Sequence, residues 1–64
     1  RVYSPAKTVA DLFKFRNKVG MERALEALKD GLRRRLFTVD ELLKCAKVDR
    51  VLRIIVPYIE GYFG

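Results

Sequence analysis

The sequence lacks several residue types on which catalytic and metal sites depend. It contains no histidine and no tryptophan, and Cys45 is its single cysteine. Without histidine there is no Ser–His or Cys–His pair to activate a nucleophile, and a zinc site would rest on one thiol and carboxylates. A lone cysteine excludes an internal disulfide and fits a reducing, cytoplasmic setting. The composition therefore predicts a protein that is not an enzyme, with no metal and no cofactor.

Long apolar runs and glycine-rich loops are also missing. No apolar stretch approaches the ~20 residues that a membrane-spanning helix needs, so we expect no membrane partner. The four glycines, at positions 20, 31, 61 and 64, are too scattered for a phosphate-binding loop. Only two residues are proline and half are apolar, which argues against disorder. A chain of 64 residues predicts one domain, and the absence of an initial Met favours a fragment of a longer protein.

Positive charge is abundant. The 14 Lys and Arg residues outnumber the 8 Asp and Glu residues, which gives a formal net charge of +6. Such a balance favours an anionic partner: nucleic acid, an acidic protein face or an anionic lipid surface. The alternative is an ordinary solvated surface, because a positive balance is common.

The spacing of apolar residues predicts an all-α fold, a small compact bundle of about four helices. The expected helices span residues 5–19, 21–35, 39–47 and 50–63. Ser4 suits an N-cap and Pro5 suits the first helical position, where a missing N–H is tolerated. Thr38 and Glu41 have the spacing of a capping box, which marks the start of the third helix.

The last predicted helix has an alternative interpretation. Asp49 is a candidate cap at its start, and Pro57 removes one backbone hydrogen bond and should bend it. The β-branched run over residues 51–56 would instead suit a strand, whose only extended partner is residues 1–3. We favour the helix because its apolar residues lie on one side and its polar residues on the other.

Two features predict how the helices pack. Gly31 forms a strip of small residues with Ala24 and Ala27, which would let a neighbouring helix approach closely. The chain ends soon after an aromatic cluster, Tyr58, Tyr62 and Phe63. Such a cluster usually completes a core. Less often it marks a surface that contacts a partner.

Two groups of polar residues are candidates for contact with a partner. Lys7, Thr8 and Asp11 form a cluster in the first predicted helix, and Lys7 and Asp11 have the i,i+4 spacing of an ion pair. The second group is basic and consists of Arg33, Arg34, Arg35, Arg50 and Arg53. Guanidinium groups pair with phosphate through a planar fork, so these residues together would suit a DNA backbone. The plainer interpretations are a locally satisfied first turn and compensation of helix dipoles.

Residues 39–56 have the gross layout of a helix-turn-helix, with a basic second helix. The turn lacks glycine, and the second helix is mostly apolar over residues 51–56. A recognition helix needs polar groups to reach base edges. We therefore do not expect this segment to read a DNA sequence.

The opening segment VYSPAKTVAD, residues 2–11, resembles the start of the C-terminal region of AbiEi-type antitoxins of bacterial type IV toxin–antitoxin systems. The resemblance continues through residues 24–28, residues 41–42 with Ala46, residues 50–51 and residues 57–60. It covers nearly the whole chain, and only the first block is distinctive. Lys7, Thr8 and Asp11 match as signature positions, and no catalytic residue comes with the resemblance.

The resemblance implies a regulator that acts in abortive infection, a form of phage resistance. Such proteins repress their own transcription through an N-terminal winged helix that binds promoter DNA. The region similar to this chain is associated with neutralising a nucleotidyltransferase toxin, AbiEii, and the two proteins need not form a stable complex. We expect the chain to be the C-terminal part of a longer protein, without its winged helix. The alternatives are an accessory nucleic-acid-binding domain and a structural or dimerisation module.

Overall fold

The computed structural model describes residues 4–63, which contain helices and no strand. The helices are α1 (Pro5–Lys14), α2 (Arg16–Val19), α3 (Met21–Arg33), α4 (Val39–Val48) and α5 (Leu52–Phe63). The predicted all-α fold is confirmed. The strand alternative is wrong, because residues 52–56 lie in α5. Its candidate partner, residues 1–3, lies outside the described residues.

Two of the predicted helix starts are present as expected. The backbone N–H of Lys7 donates to Ser4 Oγ over 3.3 Å, with Pro5 at the first helical position. At α4 the capping box is complete: the Glu41 N–H donates to Thr38 Oγ1 over 3.1 Å, and the Thr38 N–H donates to Glu41 Oε1 over 2.9 Å. These bonds satisfy backbone donors that a helix start leaves without intrahelical partners.

The first predicted helix, residues 5–19, is divided at Phe15. This residue has φ −102° and ψ 24°, away from helical values, and separates α1 from α2. Beside the break, Arg16 Nη1 donates to the carbonyl of Phe13 over 2.8 Å. Val19, the last residue of α2, is exposed.

The second predicted helix ends two residues early, because α3 stops at Arg33. Arg35 has φ +57°, the left-handed conformation that closes a helix. The N–H of Leu36 donates to the Gly31 carbonyl over 3.0 Å, and that of Arg35 donates to the Leu32 carbonyl over 3.2 Å. This pair of bonds is a Schellman motif, in which the left-handed position usually belongs to glycine.

The same motif ends α4 and corrects the expected start of the last helix. Arg50 has φ +61°, and the Val51 N–H donates to the Ala46 carbonyl over 2.9 Å. Asp49 is therefore the C-cap of α4 and not the cap of the following helix, which begins at Leu52 instead of residue 50. The left-handed turn at Arg50 delays the next helix by two residues.

The core lies where α1 packs against both α3 and α4, with α5 packed on α4. Its buried apolar residues are Ala6, Val9, Ala10, Phe13, Ala24, Leu28, Phe37, Leu42, Ala46, Val51, Ile55 and Ile59. At Gly31 the close neighbour is the ring of Phe37 and not another helix: a Cβ on Gly31 would lie 2.6 Å from Phe37 Cζ. The glycine thus makes room for an aromatic side chain from the loop that follows α3.

The aromatic residues near the end of the chain are not buried in the core, although the Tyr58 ring packs against the buried Phe13, with centroids 6.1 Å apart. Tyr58, Tyr62 and Phe63 are all exposed, and Ile55 and Ile59 supply the buried face of α5. The expectation that the aromatic cluster is buried is therefore wrong. Helix α5 continues through Pro57, which is also exposed, and the bend expected there stays a prediction.

Candidate functional site

The first candidate cluster, around Lys7, reaches across the fold. Lys7 Nζ lies 2.7 Å from Asp11 Oδ1, which confirms the i,i+4 pair, and 2.9 Å from Asp49 Oδ1. The Asp49 side chain is only 4% exposed, whereas that of Lys7 is 47% exposed. Because Lys7 is in the first turn of α1 and Asp49 closes α4, one ammonium group links the beginning of one helix to the end of another.

The electrostatics of this cluster follow from its hydrogen bonds. The pKa of Lys7 lies above its ordinary value, because its ammonium group donates to Asp11 and to Asp49, while partial desolvation opposes the shift. The pKa of Asp11 lies below its ordinary value, because Asp11 Oδ1 accepts a hydrogen bond from the Lys7 ammonium group over 2.7 Å and lies beside its positive charge. Within residues 4–63, the buried Asp49 Oδ2 has no hydrogen-bond partner.

Thr8 is the third member of the first cluster, and its hydroxyl is used within α1. Thr8 Oγ1 donates to the Ser4 carbonyl over 3.1 Å. This is the local back-bond by which threonine is accommodated inside a helix. All three members of this cluster are thus engaged in hydrogen bonds inside the chain.

The arginines at the end of α3 share one carboxylate. Arg33 Nη2 lies 2.8 Å from Asp30 Oδ1, and Arg34 Nε lies 3.3 Å from the same atom. Both side chains stay well exposed, and Arg35 beside them is exposed in its left-handed conformation. Surface pairs of this kind contribute little to stability. The three guanidinium groups are therefore accessible to an anion.

The other two candidate arginines lie around the junction of α4 and α5. Arg50 occupies the left-handed position of the turn, and Arg53 lies in the first turn of α5. Both are exposed, and among the described residues neither makes an ion pair. The structure brings Lys7 and Asp11 together, and Arg33 and Arg34 together. No hydrogen bond or ion pair among residues 4–63 connects the Lys7 cluster to any of the five arginines.

Sequence reasoning missed Asp49 as a member of the Lys7 cluster. Asp49 lies just before a β-branched apolar run, so its local sequence predicts a helix cap. Nothing in that local sequence indicates a partner 42 residues away. No spacing in the sequence marks this pair, because its two members lie at the ends of different helices.

Within residues 4–63 there is no group of three or more His, Cys, Asp and Glu side chains placed to hold a metal ion. None of the described helices has the length and apolar character required to cross a membrane. Cys45 is a free, half-buried thiol.

Taken together, the fold and the candidate surfaces define a small all-α domain whose chemistry lies in exposed charged groups. Comparison of the chain with protein-family models, with curated proteins and with solved structures gave no match.

Proposed function

We propose that the chain is a cytoplasmic, non-enzymatic antitoxin module of a bacterial type IV toxin–antitoxin system. It helps to neutralise a nucleotidyltransferase toxin and supports transcriptional autorepression in a longer protein that carries a winged helix. The proposal begins from the resemblance of residues 2–11 to AbiEi-type antitoxins. The absence of histidine and the single cysteine favour a binding role over catalysis.

The observation that supports this proposal most is the ion pair between Lys7 and Asp49. The distinctive block of the resemblance contains Lys7, and later parts of it, Ala46 and residues 50–51, flank Asp49. In the structure these are the two segments that the ion pair joins, at 2.9 Å. Segments far apart in the sequence that share one resemblance are thus parts of one structural unit.

The proposed contact surface is the set of exposed arginines. Lys7, Thr8 and Asp11 already bond within the chain, so we assign them to the fold of the module. The guanidinium groups of Arg33, Arg34, Arg35, Arg50 and Arg53 are exposed, and each can pair with a carboxylate or a phosphate of a partner. The module would then act by charge complementarity, which suits a rapid or transient encounter.

The test is co-expression with a nucleotidyltransferase toxin of a type IV system. We expect the intact chain to relieve the growth arrest that the toxin causes, and a variant with these five arginines changed to glutamine to relieve it less. A matched control changes five exposed lysines to glutamine, removes the same charge and should behave as the unchanged chain; they are Lys14, Lys18, Lys29, Lys44 and Lys47. Persistent arrest, with the chain soluble and helical by circular dichroism, would contradict the proposal.

The second candidate function is binding of a nucleic acid backbone. The observation that favours it is the exposure of all five arginines on a chain with a net charge of +6. Affinity for DNA should fall steeply with salt, and the slope should decrease by about one for each arginine that contacts a phosphate. Absence of any complex at low salt would remove this candidate.

The third candidate is a structural or dimerisation role for the aromatic end of α5. Its support is the exposure of Tyr58, Tyr62 and Phe63. Sedimentation at increasing concentration should then show a dimer that Phe63→Ser weakens. A strict monomer at every concentration would remove this candidate.

A further inference from the structure

An open groove with a volume of about 700 Å³ lies beside the exposed face of α3. Arg23, Glu26, Asp30 and Arg33 follow one another at helical spacing along this face, and Lys29 lies next to them. Tyr62 of α5 also lines the groove. Its volume is in the range typical of sites that hold small organic ligands.

The positively charged side chains that line the groove are not all paired with carboxylates. The Asp30 carboxylate is neutralised from two sides, by Arg33 at 2.8 Å and by Arg34 at 3.3 Å. Arg23 and Lys29 make no ion pair with any residue in the range 4–63. Glu26 is the one lining carboxylate that opposes them. The groove therefore presents two uncommitted cations.

Tyr62 supplies an aromatic surface beside these cations. Its side chain is 41% exposed. The ring of Phe63 lies at an interplanar angle of 86° to the Tyr62 ring, with centroids 5.1 Å apart. An exposed aromatic face next to Lys and Arg is the combination with which proteins hold a base by stacking and its phosphate by charge.

We propose that this groove binds a nucleotide unit, with the base on Tyr62 and the phosphate between Arg23 and Lys29. The source is a free nucleotide or a single strand of nucleic acid, since both carry the same base and phosphate. This proposal goes beyond antitoxin activity. It also depends on different residues from the five arginines of the proposed contact surface, apart from Arg33, which lines the groove. Failure of one proposal therefore leaves the other standing.

The test is an NMR titration of the folded 64-residue chain with two ligands that carry the same base, thymidine monophosphate and a short oligothymidylate. Both arms report on the amides and side chains of Tyr62, Arg23 and Lys29. Shifts with both ligands assign the groove to free nucleotides, and shifts with the oligonucleotide alone assign it to a strand. Absence of shifts at these residues with either ligand would overturn the proposal.

Variants distinguish specific binding in the groove from nonspecific attraction of the ligand to the positively charged chain. Tyr62→Leu should weaken binding roughly fivefold or more through loss of stacking, whereas Tyr62→Phe should retain it. Arg23→Gln should weaken binding, and Glu26→Gln should tighten it by removing the opposing carboxylate. Lys44→Gln, on α4 and outside the groove, is the matched control. If Lys44→Gln weakens binding as much as Arg23→Gln does, the groove is not the site.

Discussion

The Lys7 ammonium group lies 2.9 Å from Oδ1 of Asp49, a residue 42 positions further along the chain. Asp49 is the buried partner, and its backbone N–H also closes α4 by donating to the carbonyl of Cys45. A buried carboxylate needs a partner, because removal of its hydration is expensive. The pair thus fixes the start of α1 against the end of α4 at the point where the chain turns into α5.

The two members of this pair should respond differently to substitution. Lys7→Met leaves the buried carboxylate of Asp49 without its cation, whereas Asp49→Asn leaves Lys7 free in solvent and buries only a neutral amide. We expect Lys7→Met to lower the free energy of unfolding more than Asp49→Asn does, as measured by urea denaturation. In Lys7→Met/Asp49→Asn the loss should be smaller than the sum of the single losses.

Lys44→Met is the control for this comparison, because Lys44 is exposed and makes no ion pair within residues 4–63. It should leave the denaturation midpoint nearly unchanged. Equal losses for Lys7→Met and Lys44→Met would show that the ion pair does not hold α1 against α4.

Replacing either of the two arginines that have a left-handed backbone conformation by glycine should stabilise the chain. Arg35 and Arg50 have φ +57° and φ +61°, where a Cβ is crowded and glycine is not. We expect Arg35→Gly and Arg50→Gly each to raise the free energy of unfolding by about 1 kcal/mol. Arg53→Gly is the matched control: Arg53 lies inside α5, so the same substitution should lower stability by about 1 kcal/mol. Thermal or urea denaturation measures all three, and a loss at Arg35 or Arg50 would contradict the expectation.

The parts of the fold that sequence could predict are those encoded by neighbouring residues. Ser4 with Pro5, and Thr38 with Glu41, form caps within three or four positions of one another, and both caps are present. The period of apolar residues also identified the helices, because each must bury one face. The break at Phe15 leaves no such trace, since no glycine or proline lies near it to mark a helix end.

The parts that sequence could not predict depend on unusual residues or distant partners. In a sequence, glycine usually marks the left-handed position that ends a helix. Here arginine occupies that position at residues 35 and 50. Asp49 has the local appearance of a cap and acts instead as a buried partner of Lys7. The basic candidates could be named from composition, but only the structure shows that Arg33 and Arg34 share Asp30.

The two glycines inside helices should give opposite results when changed to alanine. At Gly31 a Cβ would meet the ring of Phe37, with Cζ at 2.6 Å. At Gly61 a Cβ would have no atom of residues 4–63 within 4 Å beyond its chain neighbours and the backbone of its own helix. We expect Gly31→Ala to lower the free energy of unfolding by roughly 1–3 kcal/mol through overpacking. Gly61→Ala should raise it by a few tenths up to about 1 kcal/mol, the gain in helix propensity. Denaturation midpoints measure both changes. A stabilising effect of Gly31→Ala would contradict the expectation and would mean that the Phe37 ring moves to accommodate the new Cβ.

Stability should depend on pH at both ends of the scale, with opposite signs. The pKa of Asp11 is lowered in the folded state, so the unfolded chain binds the proton more strongly and acid favours unfolding. Its contribution is complete above the ordinary pKa of 3.8 and is lost as pH falls from there through the lower folded pKa. The pKa of Lys7 is raised, so its contribution is complete below 10.5 and is lost as pH rises through the folded pKa.

Substitution of Asp11 tests the acid side of this dependence. Asp11→Asn removes the carboxylate that titrates, so the decline in urea midpoint between neutral pH and about pH 2 should be shallower than in the unchanged chain. Glu60→Gln removes an exposed carboxylate of α5 that makes no ion pair within the described residues, and should preserve the slope. At neutral pH Asp11→Asn should be the less stable of the two, because it also removes the negative charge that pairs with the Lys7 ammonium. An acid slope that Asp11→Asn leaves intact would place the responsible carboxylate elsewhere and would separate Asp11 from the linkage between α1 and α4.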